Sequence, residues 1–388
     1  MLSSASDPDR FTDAYPARIT ALTRERKAGT KIVGTFCLYV PDEIIYAAGA
    51  DRMILCGGSN ALIPAADEFL PRSLCPLIRS SFGSIITRDD PQTAACPHVA
   101  LIDLVIGETT CDGKKKMFEL LADLVPTHMI DLPQKPDTPG ALLYFTSELQ
   151  KFRRVMEELT GNQVTDEALW REIRNANRTR RLLMRLFTLR QQNPPPIGGV
   201  AVIRMMQRQF QLHPTEFRRR LETLVTRLEA LQGTNQERTV KRPRILFSGC
   251  PVTAGNQKVP EIVEERGGVI VVEESCTGTR AFWHLVDENE ERDPLVALAE
   301  RYLQIPCACM TPNDRRIEHI LDLVRQYSVD GVVYATLQNC QGYNTERHRV
   351  QQALKEVGVP MLAIETDYGD ADKEQIGVRV EAFLEMIQ

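Results

Sequence analysis

Histidine is scarce in this chain, six in 388 residues, and tryptophan scarcer, with two. No C-x-x-C pair occurs; the nearest local pair is Cys307–Ala308–Cys309. Zinc sites draw on such pairs or on cysteine–histidine mixtures, and only His98, two residues after Cys96, stands close to a cysteine. No run of about 18 apolar residues is present, so nothing reads as a membrane span. Neither sign of charge dominates: 47 Lys and Arg against 52 Asp and Glu give −5, which argues against a strongly basic nucleic-acid binder. Low-complexity tracts are missing, and 43% of residues are apolar, so packed cores are expected rather than disorder. The opening MLSSASDPDRFTDAYPARI has no apolar core of a secretory signal. Nucleotide motifs are missing too. The nearest string to a phosphate loop, GETTCDGKKK at 107–116, has five residues between its glycines and Lys115 where Ser or Thr belongs. No GxGxxG follows a strand. The chain is expected to bind neither ATP nor a dinucleotide by itself.

What is abundant is cysteine: Cys37, Cys56, Cys75, Cys96, Cys111, Cys250, Cys276, Cys307, Cys309 and Cys340. With no secretory signal to read, reduced thiols in a cytoplasmic setting are expected, and metal ligation or catalysis becomes the leading use for them.

Patterning predicts an α/β class with parallel sheets. A helix is expected over 9–28. Strands are expected at 31–37, 51–58, 99–111 and 127–133, with helices at 41–50 and 112–124 between them. The pattern restarts with strands at 244–250, 269–276, 330–340 and 360–367 and helices at 256–268, 293–303, 315–328 and 345–358. Between these halves, 139–239 shows helical spacing, as in Phe217, Leu221, Leu224, Val225, Leu228 and Leu231. It is rich in arginine, interrupted once by NPPPIGG at 193–199, and reads as an all-helical insertion or lid. Its arginines either solvate a helix face or meet an anionic ligand or partner. Three domains follow: 1–137 and 243–388, both Rossmann-like α/β domains flanking a cleft, and 138–242, helical. The α/β halves read as internal copies: KIVGTFC pairs with RILFSGC, DRMILCGG with GVIVVEESC, and VALIDLVIGETTC with VDGVVYATLQNC.

In open parallel sheets, ligands gather at the carboxyl ends of strands. Cys37, Cys111, Cys250, Cys276 and Cys340 fall at such ends, and Cys75, Cys307 and Cys309 fall in loops expected at the same edge. Single cysteines far apart in sequence, converging without histidine, suit an iron–sulfur centre between two domains.

The stretches FCLYVPDEIIYAAGA, LPRSLCPLIRSSFG, DLVIGETTCDGKKKMFE, SGCPVTAGNQKV, VVEESCTGTRA, PCACMTPNDRR and ETDYGDADKEQIGVRVEAFLEM together resemble the 2-hydroxyacyl-CoA dehydratase superfamily, D-component-like subunits, and within it the double-cubane cluster protein branch. In the dehydratases the resemblance implies one [4Fe–4S] cluster on three cysteines, which match Cys75, Cys111 and Cys340 here. The double-cubane branch implies an [8Fe–9S] centre, two [4Fe–4S] units joined by a sulfide on six thiolates: Cys37, Cys75, Cys111, Cys276, Cys309 and Cys340. Cys250 competes with Cys276 for one place and Cys307 with Cys309 for another, while Cys56 and Cys96 read as core thiols.

By resemblance, electrons come from a separate iron–sulfur ATPase activator, the chain pairs as a homodimer, and the substrate is a small molecule. The implied activity is low-potential reduction. Two alternatives are a dehydratase subunit with a single cubane, working through a ketyl radical, and a non-catalytic electron carrier. Proton donors are thinly supplied. Glu108 and Glu274 are the candidates, with Glu273 beside the latter; Lys114, Lys115 and Lys116 could soften cluster charge. Glu365 and Asp367 end the last strand, and His284 and His348 read as helix or surface residues.

Overall fold

A computed structural model describes residues 11, 14–90, 96–231 and 242–388. The expected first helix is present over Ala14–Lys27 (α1); the remainder of that expectation lies largely outside the described residues. The N-terminal half continues as β1 (Ile32–Thr35), α2 (Asp42–Ala47), β2 (Asp51–Ile54), α3 (Ile63–Ala66), α4 (Pro76–Ile86), β3 (Leu104–Glu108), α5 (Asp112–Ala122) and β4 (Thr127–Ile130). Four helices follow: α6 (Ala141–Thr160), α7 (Asp166–Leu189), α8 (Gly199–Gln209) and α9 (Pro214–Ala230). The C-terminal half runs β5 (Arg244–Gly249), α10 (Lys258–Glu265), β6 (Val269–Glu274), α11 (Pro294–Tyr302), α12 (Asp314–Gln326), β7 (Gly331–Leu337), α13 (Gln341–Glu356), β8 (Met361–Thr366) and α14 (Lys373–Met386).

The sheets share one plan. Their strand orders are β2-β1-β3-β4 and β6-β5-β7-β8, with all six pairings among the described residues parallel. The matched pairs read from sequence therefore occupy the same places in the two halves. The inner strands are buried along their whole length, as Ile32–Thr35, Leu104–Glu108, Arg244–Gly249 and Gly331–Leu337 show. That is what helix layers on both faces require.

Local chemistry sets the element ends. Pro76 stands at the first turn of α4 and Pro294 at that of α11, where the missing N–H costs nothing. Thr165 caps α7 by accepting from the Ala168 amide, and Asp293 caps α11 by accepting from Leu295. The run 99–111 is shorter as a strand than expected: Pro97–Leu101 forms a 3₁₀ turn first.

The helical segment does not hang over the molecule as a lid. Phe152, Leu186 and Phe217 share one continuous apolar core with Val33 and Ile106 of the first sheet and Leu246 and Val332 of the second. The helices are the joint between the halves. Across the cleft itself, Tyr39 donates to the Ile305 carbonyl at 2.7 Å, and Gly58 lies so close to Thr253 and Ala254 that a Cβ there would collide with them.

Candidate metal centre

All three matched strand pairs deliver cysteine to the carboxyl edge. Cys37 comes two residues after β1 and Cys250 directly after β5; Cys276 comes two residues after β6; Cys111 and Cys340 precede α5 and α13, which follow β3 and β7. Cys75 precedes α4. The expectation that Cys75, Cys307 and Cys309 reach the same edge is met by their contacts.

The sulfurs form two adjoining groups. In one, Cys276 contacts Cys37 and Cys307, and Cys307 contacts Cys309. Cys276 and Cys309 both donate to Cys307, which holds the Cys307 thiol well below the ordinary range, while the same contacts raise the two donors. Tyr39 lies among all four: burial raises its phenol first, and Cys309, Cys307, Cys37 and Cys276 raise it further. In the second group Cys340 contacts Cys250, which raises the Cys340 thiol, with burial adding to it. Burial pushes the Cys75 thiol up to about 12, helped by Cys340 and then Cys111. Cys307 interacts with both Cys111 and Cys340, so the groups abut. Cys250 thus falls in the group of Cys340 and Cys276 in the other, while Cys307 and Cys309 share a group.

Three members of the second group sit at helix starts. Their sulfurs make no full capping bond, but neighbouring amides favour their thiolates. Leu77 and Ile78 do so for Cys75, and Tyr343 does so for Cys340, each working against burial and the neighbouring sulfurs. Cys111 is the exposed member; enclosure by its surroundings raises its thiol, and the Lys114 ammonium and amide pull it down. A helix N-terminus carries partial positive charge and lowers thiol pKa values.

A buried polar network braces the first group. Glu274 accepts from Arg280 Nε and Nη2, from Arg316 Nη2 at 3.1 Å and from Ser248 Oγ at 2.6 Å. Although burial opposes ionisation, the two guanidiniums hold its carboxyl at about 2. Arg280 Nη1 reaches Cys276 Sγ at 3.8 Å and the Tyr343 hydroxyl, which in turn lies 3.6 Å from Cys307 Sγ. Arg316 also pairs with Glu346. Glu274 is therefore an ionised anchor for two arginines, with no proton to give. Arg280, Arg316, Tyr39 and Tyr343 were not singled out from sequence; the one signal was position, Arg280 four residues after Cys276 and Tyr343 three after Cys340.

A model of the 2-hydroxyglutaryl-CoA dehydratase D-component matches residues 37–387. YjiM of Escherichia coli (strain K12), named as a provisional dehydratase subunit, is 37% identical over 386 residues, 98% of this chain and 97% of that protein. The chain belongs to the 2-hydroxyglutaryl-CoA dehydratase D-component family. More distant relatives include the (R)-phenyllactyl-CoA dehydratase beta subunit of Clostridium sporogenes, 22% identical over 93% of both chains. A benzoyl-CoA reductase subunit of Thauera aromatica is likewise 22% identical, over 94% of this chain and 93% of that one.

In this D-component family member the remaining candidates divide cleanly. Glu108 is fully buried at the end of β3 and pairs with Lys114, whose ammonium lies 5.8 and 5.7 Å from the Phe36 and Phe118 ring centres. Burial raises the Glu108 carboxyl; Lys114 opposes that, and the Cys37 thiol lies against it. Its Oε2 has no nitrogen or oxygen partner, so Glu108 keeps a free acceptor beside the first group. Lys114 is not the solvated residue its neighbours are: Lys115 and Lys116 pair with Asp112 and Glu119 near the surface. Glu273 accepts from Ser275 and from Thr277 at 2.7 Å. Glu365 is exposed and Asp367 closes a turn on the Gly369 amide at 2.7 Å. Cys56 donates to the Phe36 carbonyl at 2.7 Å, and Cys96 opens the 3₁₀ turn. His284 is half-buried, His348 exposed.

The donor chemistry fits an iron–sulfur group. Among the described residues no three Cys, His, Asp or Glu side chains are disposed around a single ion; the thiols are linked instead as a run, Cys37–Cys276–Cys307–Cys309, and a pair, Cys250–Cys340. Soft thiolate-only donors in two sets suit clusters rather than one hard cation. Arg280 and Lys114 supply nearby positive charge, which a set of buried thiolates requires.

Proposed function

We propose that this chain is a low-potential iron–sulfur reductase, holding a double-cubane [8Fe–9S] centre in the cleft and reducing a small molecule. Cys75, Cys111 and Cys340 would hold one cubane, and Cys37, Cys276 and Cys309 the other, with Cys250 and Cys307 as the fourth sulfurs of the two sets. The observation that carries this reading is the pairing of four thiols with four across one cleft; a single cubane on three cysteines leaves the Cys37 set without a purpose. The group, when bound, supplies stored low-potential electrons beside the substrate.

The chain's own residues do the rest. Amides at the starts of α4, α5 and α13 favour the thiolates. Arg280 sets charge and an N–H against Cys276, the kind of neighbour that tunes potential. Glu108, once protonated, is placed to pass a proton at the Cys37 side. Because the sequence has no phosphate loop, ATP coupling is assigned to a separate activator docking over the cleft mouth, where Cys111 is exposed. A homodimer is the proposed assembly.

One observation favours a second reading, a 2-hydroxyacyl-CoA dehydratase subunit: Cys75, Cys111 and Cys340 alone already have helix N-termini behind them and suffice for one cubane. Iron and acid-labile sulfide in anaerobically purified protein separate the two. The proposal expects about eight irons per chain and activator-dependent, ATP-dependent reduction; about four irons with dehydration of a hydroxyacyl-CoA support the second reading. Two irons or fewer per chain contradict both.

A further inference from the structure

Where all three parts of the chain meet, a cavity of about 100 Å³ opens with Cys37 on its wall. Thr35 and Cys37 come from the end of β1, Arg52 from β2, Arg180 from α7 and Arg301 from α11. Engineered apolar cavities of about 150 Å³ admit benzene, so this one has room for roughly four to six heavy atoms.

Three buried guanidiniums line it, and they are not equally satisfied. Arg52 pairs with Asp42, and Arg180 with Glu43 at 2.7 Å, a carboxylate that also accepts from Tyr302 at 2.7 Å. Arg301 is 3% exposed, yet no carboxylate among the described residues pairs with it. It donates only to the carbonyls of His284, at 3.2 Å, and Ala281, at 2.7 Å, and stacks on Tyr302. A buried charge without a direct ion pair is costly; burial and the neighbouring Arg180 pull the Arg301 guanidinium down to about 10, and Glu43 and Asp42, already paired with Arg180 and Arg52, offset this only in part. Two further polar atoms stand unpartnered on the same wall: Arg52 Nε, in a side chain 5% exposed, and Gln209 Oε1.

We infer that this cavity binds a small organic carboxylate as the free acid, its anionic end against Arg301 and Arg52 and its other end toward Cys37. An anion gives Arg301 the direct ion pair that Arg52 and Arg180 already have, and Arg52 Nε and Gln209 add a donor and an acceptor for a neighbouring hydroxyl or carbonyl. The inference deepens the proposed reading and rests on it for the word substrate; the binding itself depends on the cavity alone.

The test is calorimetric titration of the anaerobic, iron-assayed protein with propionate, lactate, propionamide and propionyl-CoA. Propionate and lactate should bind, and propionamide, of the same shape without the charge, should bind at least about tenfold more weakly. Arg301→Gln should weaken propionate at least about tenfold, while Arg301→Lys, which keeps the charge, should stay within about threefold of the parent. Equal binding of propionate and propionamide overturns the inference, as does a folded Arg301→Gln variant that binds like the parent. Propionyl-CoA binding more tightly than propionate overturns it as well. Should Arg301→Gln fail to fold, the Arg301→Lys variant and the carboxylate-to-amide ratio in the parent still decide. A full iron complement without carboxylate binding sinks this inference alone; carboxylate binding by protein that holds two irons or fewer sinks the proposed function alone.

Discussion

Two buried histidines illustrate how the molecule holds neutral what is titratable elsewhere. His98 lies with Nδ1 2.5 Å from the Tyr15 hydroxyl and with Nε2 2.9 Å from the Ile54 carbonyl. His319 Nε2 lies 2.9 Å from Thr279 Oγ1, with Trp283 against its ring. Burial lowers both imidazoles to about 4. Above pH about 6.5, an unfolded histidine and these folded ones are all neutral, and stability is complete. As pH falls from there the unfolded chain takes the protons first, so stability drops until pH about 4, by up to about 3 kcal/mol for each residue. Urea titrations of the metal-free chain between pH 4 and 7 should show this slope, and a His98→Asn, His319→Asn variant should flatten it; an unchanged slope would contradict the assignment. At this scale the sequence was uneven. Cys37, Cys111, Cys250, Cys276 and Cys340 were legible because each follows an apolar run that had to be a strand. Glu108 and Glu274 were singled out as proton donors, but their ion pairs were not legible, since nothing in VIGE or VVEE tells that Lys114 or Arg280 and Arg316 will be waiting.

Elements were mostly legible, and the exceptions have reasons. Pro76–Ile86 is a helix where a loop was expected around LCPLIRS. Ser80, Ser81 and Gly83 are weak helix formers, but all three are buried, and Gly83 packs so closely on the Leu62 carbonyl that no side chain fits. Tertiary packing overrode propensity. The end of β5 shows the reverse, a backbone position that demands its residue. Gly249 has φ +128°, and a Cβ there would overlap the Ala335 backbone of β7. The adjacent Cys250 amide bonds Ala335 O at 3.0 Å, so this contact places the Cys250 sulfur. Gly29 has a similar φ, +105°, with nothing within 4 Å. Gly249→Ala should therefore cost about 3 kcal/mol or more in urea unfolding and reduce bound iron, whereas Gly29→Ala should cost about 1 kcal/mol and leave iron unchanged. Equal costs would show that the close approach to β7 is not what fixes this corner.

The whole molecule is a doubled α/β unit, and the repeat was visible in sequence only through its cysteines. The two halves share little else residue by residue, yet their strand orders are identical. What sequence could not convey was how the halves are joined. The helical segment had the composition of a solvated insertion, but Arg180 is spent on Glu43 of the first half and Arg190 on the Ile270 carbonyl of the second, at 2.6 Å. These buried arginines, and the core shared by all three parts, bring both carboxyl edges face to face. Among the described residues no helix is long and apolar enough to cross a membrane.

The most direct check is an anomalous-scattering map from crystals grown without oxygen. The account predicts two compact iron peaks a few ångströms apart in the cleft, one against Cys75, Cys111 and Cys340 and the other against Cys37, Cys276 and Cys309. Iron beside only the first set would reduce the centre to a single cubane, and a cleft free of iron in protein never exposed to air would contradict the account at its root.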